Sequence, residues 1–316
     1  VSRLAALTGG TGFLGRHAAA ALAAQGWRLR MLARRMPDLP ELAATPIELI
    51  PGRLSDPHAL ARLVEDAEVV IHMAGLVKAR GEAEFMAANA EGTRALARAW
   101  RGHAPDARFV LVSSMAAREP ALSAYAASKR AGEAELTALA ADAAADWRIL
   151  RPAAIYGAHD AESLKVLKLA DAPVQVMLNG AAARVAMIDV RDAAEAIAAF
   201  AAHPGDGATY ELTDARADGY SWPELTAAAA AALGRAPRPL RLPAPLLRLI
   251  GAFGAAAQLL TGSAEMLTPG KAREILHADW SGDPALAPPA AIWRPRIALA
   301  DGLRDMAAWA RAEDRL

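Results

Sequence analysis

Leu4-Ala5-Ala6-Leu7-Thr8-Gly9-Gly10-Thr11-Gly12-Phe13-Leu14-Gly15 runs a short apolar segment into three spaced glycines, Gly9, Gly12 and Gly15. An alanine-rich, proline-free stretch follows from Arg16 to Gln25. That order predicts a strand, a tight turn and a helix. Gly9 allows the turn, Gly12 lets the backbone come close to a diphosphate, and Gly15 lets the helix pack on the strand. The start of such a helix offers free N–H groups and a positive dipole end to phosphates. Spaced glycines alone are a weak signal. With a strand before and a helix after, they read as a dinucleotide-binding turn that includes Thr11, Phe13 and Leu14.

The rest of the composition narrows the class. With 316 residues the chain can bury a large core, as one large domain or two intimately joined ones. Lys plus Arg and Asp plus Glu both total 35, which points away from a polyanion partner and from nucleic acid. There is no Cys, so disulfides, thiolate metal sites and Cys nucleophiles are excluded. The first strand begins almost at once, so no signal peptide and a cytoplasmic location are expected. The most membrane-like stretch, Leu242 to Gly262, contains Pro243, Pro245, Arg248 and Gln258 and is interrupted by Gly251 and Gly254. A spanning helix needs ~20 predominantly apolar residues, so a helix of a soluble domain and no spanning segment are expected there.

Along the chain, Arg28 to Ala33 reads as a second strand that runs into Arg34-Arg35. An acidic residue about 20 positions beyond the glycine turn would hold the ribose 2′-hydroxyl of NAD. Two guanidiniums stand there instead, and they suit a 2′-phosphate. The expected cofactor is NADP(H) in preference to NAD(H). Pro46 to Ile50 is a third strand, and the turn Gly52-Arg53-Leu54-Ser55-Asp56 would face the adenine. Asp56-Pro57 opens a helix. Glu68 to Gly75 is a fourth strand ending in small residues, Ala74 and Gly75, beside the cofactor. His72 has apolar neighbours and reads as a packed strand residue. Asn89 lies inside a predicted helix, Ala83 to Arg101, where Asn is a poor choice. It reads as a polar group that bends or hydrates that helix near the active site.

Arg108 to Ser114 is a fifth strand ending in two hydroxyls, where ligands sit in a parallel sheet. Tyr125 and Lys129 follow, spaced i and i+4 on one helix face. A free Tyr has a pKa near ~10. A nearby ammonium lowers it toward general acid–base work near neutrality.

In order, Thr8 to Gly15, Ser113-Ser114, Tyr125-Ala126-Ala127-Ser128-Lys129 and Arg151-Pro152-Ala153-Ala154-Ile155-Tyr156-Gly157 resemble an extended short-chain dehydrogenase/reductase of the epimerase/dehydratase-like superfamily. Ile188 to Ala194 extends the match. The resemblance implies an α/β fold: a Rossmann-type doubly wound parallel sheet with a smaller, partly interleaved C-terminal substrate domain. Residues 1–157, with a returning segment near 185–213, would bind NADP, and 158–316 would mainly form the substrate cap. It also implies that Tyr125 exchanges a proton with the substrate oxygen. Lys129 would bind the nicotinamide ribose and tune Tyr125, Ser114 would hold the substrate oxygen, and Asn89 would serve a proton relay. Pro152 would lie where the backbone meets the carboxamide, and a homodimer through the Tyr125 helix is implied.

The chain departs from that pattern in places. Arg53 stands where many members have an Asp facing the adenine amine, and the loop between Ser114 and Tyr125 is short and holds Pro120. Ala154 replaces an Asn that touches the sugar-nucleotide diphosphate in epimerases and dehydratases. The expected reaction is therefore hydride transfer to or from a ketone or secondary alcohol on an apolar small molecule. Alternatives are a nucleotide-sugar epimerase or dehydratase, and a non-catalytic nucleotide-binding assembly subunit. The stretch 277–280 with Trp293 and Trp309 resembles the dihydroflavonol-reductase and 3β-hydroxysteroid-dehydrogenase-like branch. If Arg34 meets the 2′-phosphate, Arg34→Asp weakens NADPH binding by about tenfold or more and spares NADH. Fluorescence titration with both cofactors checks this, and unchanged NADPH affinity would refute it.

Overall fold

The computed structural model describes residues 3–35, 42–43, 45–141, 145–171, 174–177, 183–235, 238–241 and 269–316. The expected helix at 242–262 lies outside them. By its contacts the chain divides into two units. The first holds Val1–Pro152, Ala193–Glu211 and Pro288–Arg294. The second holds Ala153–Asp192, Leu212–Ala287 and Pro295–Leu316. The division at Pro152 falls earlier than the expected 157, the returning segment begins at Ala193, and 288–294 groups with the first unit.

The first unit is built on a seven-stranded sheet. Its strands are β1 (Leu4–Thr8), β2 (Arg28–Ala33), β3 (Ile47–Pro51), β4 (Val69–His72), β5 (Arg108–Val112), β6 (Trp147–Pro152) and β11 (Thr209–Leu212). They lie in the order β11-β6-β5-β4-β1-β2-β3. The pairings among β1 to β6 are parallel. Every residue of β1 and of β4 is buried, as continuous apolar runs in a covered parallel sheet require. Strand order reverses between β1 and β4, and in that pair Thr8 stands opposite His72. A ligand crevice opens at such a reversal, beyond the carboxyl ends of the strands.

Helix α1 (Phe13–Ala24) buries Gly15, Ala18, Ala19 and Leu22. Helix α2 (Pro57–Val64) begins as its Asp-Pro signal predicts, with the Asp56 carboxylate accepting from the N–H groups of His58 and Ala59, both at 3.1 Å. The helix expected over 83–101 is three pieces: α3 (Glu82–Phe85), a π turn (Met86–Glu91) and α4 (Gly92–His103). Trp100 of α4 is fully buried against Phe109, ring centroids 5.0 Å apart, and its Nε1 donates to the Ala107 carbonyl at 2.8 Å. Helix α5 (Ala124–Leu139) starts where Ser123 Oγ accepts from the Ala126 N–H at 3.0 Å. Helix α7 (Val190–Ala202) returns toward this unit from residue 193 onward.

The second unit contains three parallel strand pairs. These are β7 (Ala154–Tyr156) with β10 (Met187–Asp189), β8 (Val174–Met177) with β12 (Arg238–Arg241), and β9 (Arg184–Val185) with β13 (Asp279–Trp280). In sequence, Arg184 to Ile188 reads as one strand; in the structure it is two short ones in different pairs. In sequence, the run Pro237, Pro239, Pro243 and Pro245 reads as a stiff linker, yet strand β12 falls inside it; among the described residues β12 pairs on one side only, with β8, and an edge strand tolerates Pro239. The helices are α6 (Ala161–Ala170), α8 (Trp222–Ala232), α9 (Pro269–Leu276) and α10 (Leu299–Ala312). Tyr156, Leu164, Leu167, Leu303 and Met306 share one core. Asp192 accepts from the N–H groups of Arg296 and Ile297, both at 2.9 Å, and so ties the C-terminal segment down. Among the described residues, no helix is long and apolar enough to cross a membrane.

Gly302 in α10 is required by packing. A Cβ there would lie 2.5 Å from both Tyr156 OH and Asp189 Oδ2. Replacing Gly by Ala inside an exposed helix gains ~1 kcal/mol, whereas overpacking a core costs ~1–3 kcal/mol. Gly302→Ala therefore lowers the melting temperature. Gly102→Ala in α4, with nothing within 4 Å of the new Cβ, raises it. Thermal denaturation of both variants checks the pair, and a Gly302→Ala protein as stable as the parent would contradict the contact.

Candidate active site

The glycine turn closes by backbone contact. Gly9 has φ +74°, a left-handed conformation that glycine adopts freely. Its carbonyl accepts from the Gly12 N–H at 3.0 Å. A Cβ on Gly9 would lie 2.5 Å from the Ala74 nitrogen, and one on Gly15 would collide with the Gly9 carbonyl. Gly12 differs. A Cβ there would meet only the Gly9 oxygen, at 3.3 Å, and the residue is exposed. Gly12 also stands at the start of α1, with no side chain to cap it and no acidic residue in the first turn. The first N–H groups of a helix have no intrahelical partner. The residues could therefore hold an anionic group on their open side, which Thr11, Phe13 and Leu14 border, each part-buried.

At the end of β4, Ala74 and Gly75 come next to this turn. A Cβ on Gly75 would lie 2.7 Å from Asn89 Oδ1 and 3.6 Å from Lys129 Nζ. The small residues expected here leave room where side chains from two other elements converge. Lys129 Nζ donates to the Val112 carbonyl at 3.0 Å, at the end of β5. Burial lowers the Lys129 ammonium from its ordinary 10.5 to about 8, and the charge of Glu133 one turn on opposes that shift. Tyr125 is part-buried on the same helix, with its ring edge-on to Phe85 at 5.9 Å.

The two hydroxyls after β5 have different surroundings. Ser113 Oγ is closed off from solvent and has no hydrogen-bond partner among the described residues. Ser114 Oγ accepts from the Ala116 N–H at 3.2 Å and caps a short 3-10 turn, Met115–Arg118. Its own proton is uncommitted among the described residues. The loop before Tyr125 is therefore folded, with Ala117 fully buried and Arg118 paired with Glu211 at 3.3 Å.

Asn89 sits in the π turn, 3% exposed. Its Oδ1 accepts from the Leu76 N–H at 2.8 Å, and its Nδ2 donates to the Leu76 carbonyl at 3.0 Å and to Ser128 Oγ at 2.9 Å. The residue that read as bending its helix does lie where the helix widens, and its side chain clamps the loop after β4 to α5. Arg34 and Arg35 are exposed at the end of β2, and Arg53 is exposed after β3. Among the described residues none of the three has an ion-pair partner. Leu54 packs against Gly92, where a Cβ would lie 2.8 Å from its Cδ1. Pro152 is buried at the end of β6. Beside it, Arg151 forms a buried two-pronged pair with Glu133, at 2.8 and 2.6 Å. That hydrogen bond and charge keep the guanidinium ionised against the pull of burial. Sequence reading missed the pair, although Glu133 stands four residues beyond Lys129 and Arg151 directly precedes Pro152.

Residues 5–213 match the NAD dependent epimerase/dehydratase family, and the chain belongs to it. It is an NAD(P)-dependent enzyme of the reductase/dehydrogenase kind. It is 47% identical over 307 residues to the ceramide reductase of Caulobacter vibrioides, covering 97% of this chain and 94% of that protein. It is 35% identical over 96 residues to a ketoreductase of Stigmatella aurantiaca, covering 30% of this chain and 29% of that one. The fold is similar to the dTDP-glucose 4,6-dehydratase of Streptomyces venezuelae, solved with NAD bound. That likeness has a TM-score of 0.73 and 22% identity, and covers 98% of this chain and 97% of that one.

The Lys129 charge makes a pH-dependent contribution. Its folded pKa of about 8 lies below the unfolded value, so between those pH values the unfolded chain binds more protons and stability rises with pH. Below about pH 8 the buried ammonium is a cost to the ligand-free protein. Lys129→Met is expected to stabilise that protein at pH 7 by on the order of 1–2 kcal/mol, after allowing for the lost hydrogen bond to Val112. The gain should fade as the pH approaches 10. Thermal melts across this range check it, and a variant that is less stable at pH 7 would show that burial is not the controlling effect.

Proposed function

We propose that the chain is an NADPH-dependent reductase of a ketone on an apolar, lipid-like molecule of the ceramide class. The observation that carries the reaction is the convergence of Lys129, Gly75 and Asn89 beside the glycine turn, with Tyr125 one turn before Lys129 on α5. The substrate class is supported by the 47% identity to a ceramide reductase along nearly the whole chain. A ceramide carries a secondary alcohol beside its amide-bearing carbon, and the corresponding ketone is the chemistry a Tyr–Lys site handles.

In this reading Gly9, Thr11, Gly12, Phe13, Leu14 and Gly15 hold the diphosphate. Arg34 and Arg35, with Arg53 nearby, meet the 2′-phosphate, which favours NADP(H) over NAD(H). Leu54 lies against the adenine, Ala74 and Gly75 leave space for the ribose, and the backbone at Pro152 meets the carboxamide. A bound nicotinamide supplies the hydride to the carbonyl carbon. Tyr125 gives its phenolic proton to the oxygen as charge develops there, and Ser114 donates its uncommitted proton in a hydrogen bond to the same oxygen. Lys129 holds the nicotinamide ribose and keeps a positive charge near the phenol, which favours proton release. Asn89 acts here as a clamp that sets the spacing of β4 and α5, since its side-chain amide is committed to Leu76 and Ser128.

Nucleotide-sugar chemistry fits the residues less well. Ala154 has no side-chain donor for a diphosphate, and its N–H is bonded to the Ala186 carbonyl at 3.3 Å. Arg184 is paired with Glu224 at 3.5 Å, and Arg191 with Asp189 and Asp305, both at 2.9 Å. Each of those arginines is thus engaged by a carboxylate of the chain. A non-catalytic role would leave the Tyr–Lys pair without a use.

The test is oxidation of NADPH in the presence of a short-chain N-acylated keto-sphingoid base in detergent micelles. Turnover is expected. Tyr125→Phe should lower it by about 10²–10⁴-fold while NADPH affinity stays within a few-fold. Full turnover by that variant would remove Tyr125 as the proton donor, and no oxidation by the parent protein would remove the substrate class.

A further inference from the structure

A continuous line of buried hydrogen bonds joins the glycine turn to the helix that carries Tyr125. Thr8 and His72 end adjacent strands in register. The Ala74 N–H donates to Thr8 Oγ1 at 3.4 Å. Thr8 Oγ1 lies 2.6 Å from His72 Nδ1, and His72 Nε2 lies 3.1 Å from Thr93 Oγ1. Thr93 Oγ1 donates to the Asn89 carbonyl at 2.6 Å. Asn89 Nδ2 donates to Ser128 Oγ, and Ser128 Oγ donates to the Tyr125 carbonyl at 2.8 Å. Thr8, His72, Asn89, Thr93 and Ser128 are each at most 3% exposed.

The directions of these bonds are fixed by elimination. Thr93 commits its only proton to a carbonyl, which cannot donate in return, so its oxygen accepts from His72 Nε2–H. A neutral ring then has Nδ1 as its acceptor, and Thr8 donates to it. Burial, with the Lys129 charge adding to it, lowers the His72 pKa to about 3, so the ring is neutral at ordinary pH. Each ring nitrogen therefore has a separate task on a different element.

We propose that His72 is a positioning residue with two separable arms. The Nδ1 arm holds Thr8 and Ala74, where the glycine turn meets the end of β4. The Nε2 arm holds the π turn, through which Asn89 and Ser128 fix the first turn of α5. The proposal rests on the reading of the glycine turn as the cofactor cradle and of Tyr125 as the proton donor, while its hydrogen-exchange readout depends on neither.

The two arms can be cut one at a time in the full chain. His72→Asn puts an amide oxygen near the place of Nδ1 and keeps the acceptor for Thr8, but loses the donor to Thr93. His72→Gln reaches the place of Nε2 with an amide nitrogen and keeps the donor to Thr93, but loses the acceptor for Thr8. Amide hydrogen exchange and NADPH titration are measured on both, with Thr93→Val and Thr8→Val as second variants that leave the ring in place and cut the same arms. His72→Gln and Thr8→Val should speed exchange at Ala74 and weaken NADPH binding by about five- to thirtyfold. His72→Asn and Thr93→Val should leave NADPH affinity within about twofold and speed exchange over residues 126–129 by about tenfold. In the keto-lipid assay the second pair should lower kcat with little change in the KM for NADPH. If all variants disturb both regions alike, or if His72→Leu leaves exchange unchanged in both, the ring is core filling and the proposal is overturned. Failure of the parent protein to bind NADPH would refute the cofactor reading, and the exchange pattern would still decide the role of His72.

Discussion

The structure of the first unit depends on how closely the backbone leaving β1 approaches the backbone leaving β4. A Cβ on Gly9 would stand 2.5 Å from the Ala74 nitrogen, so the approach is possible only because Gly9 has none. That contact places the Thr8 end of one strand beside Ala74 and Gly75 of the other. Gly75 in turn leaves space into which Asn89 Oδ1 and Lys129 Nζ project. Gly15 permits the same intimacy between α1 and the turn. Gly12 alone is free of protein on its open side, which is where a ligand backbone of phosphates would need the room.

Much of this was legible in the chain because the signals are local. The glycine turn is a matter of spacing within a dozen residues, and Tyr125 and Lys129 share a helix face by their separation of four. Asn89 stood out because it conflicts with its helix, and the conflict is resolved by a π turn that frees its side chain to reach Leu76 and Ser128. The polar line through His72 was not legible. His72 is surrounded in sequence by apolar residues, and its partners Thr8 and Thr93 lie 64 and 21 positions away. The register of β1 on β4 brings Thr8 to His72, and Thr93 reaches the ring from α4. The same holds for Arg151 and Glu133, which are 18 positions apart and meet because β6 passes α5.

Local signals also misled where tertiary pairing overrides them. The proline run near residue 240 reads as a linker, yet Arg238–Arg241 pairs with Val174–Met177. The stretch from Arg184 to Ile188 reads as one strand, yet it divides between two partners, Trp280 on one side and Ile155 on the other. These errors fall in the second unit, where strands are two to four residues long and carry too little periodicity to be told apart. Among the described residues of that unit, Glu224 accepts from the Ser221 N–H and hydroxyl, both at 2.7 Å, and pairs with Arg216 at 2.7 Å, which together lower its carboxyl to about 2.

If Tyr125, Ser114 and Lys129 serve a net reduction, the hydride ends in the product. The most direct measurement is product analysis after incubation with the keto-lipid and NADPH deuterated at the transferring position. One deuterium on the new carbinol carbon is expected for each NADPH consumed. An unlabelled product would contradict it. So would cofactor that stays bound and is regenerated while a nucleotide sugar is interconverted.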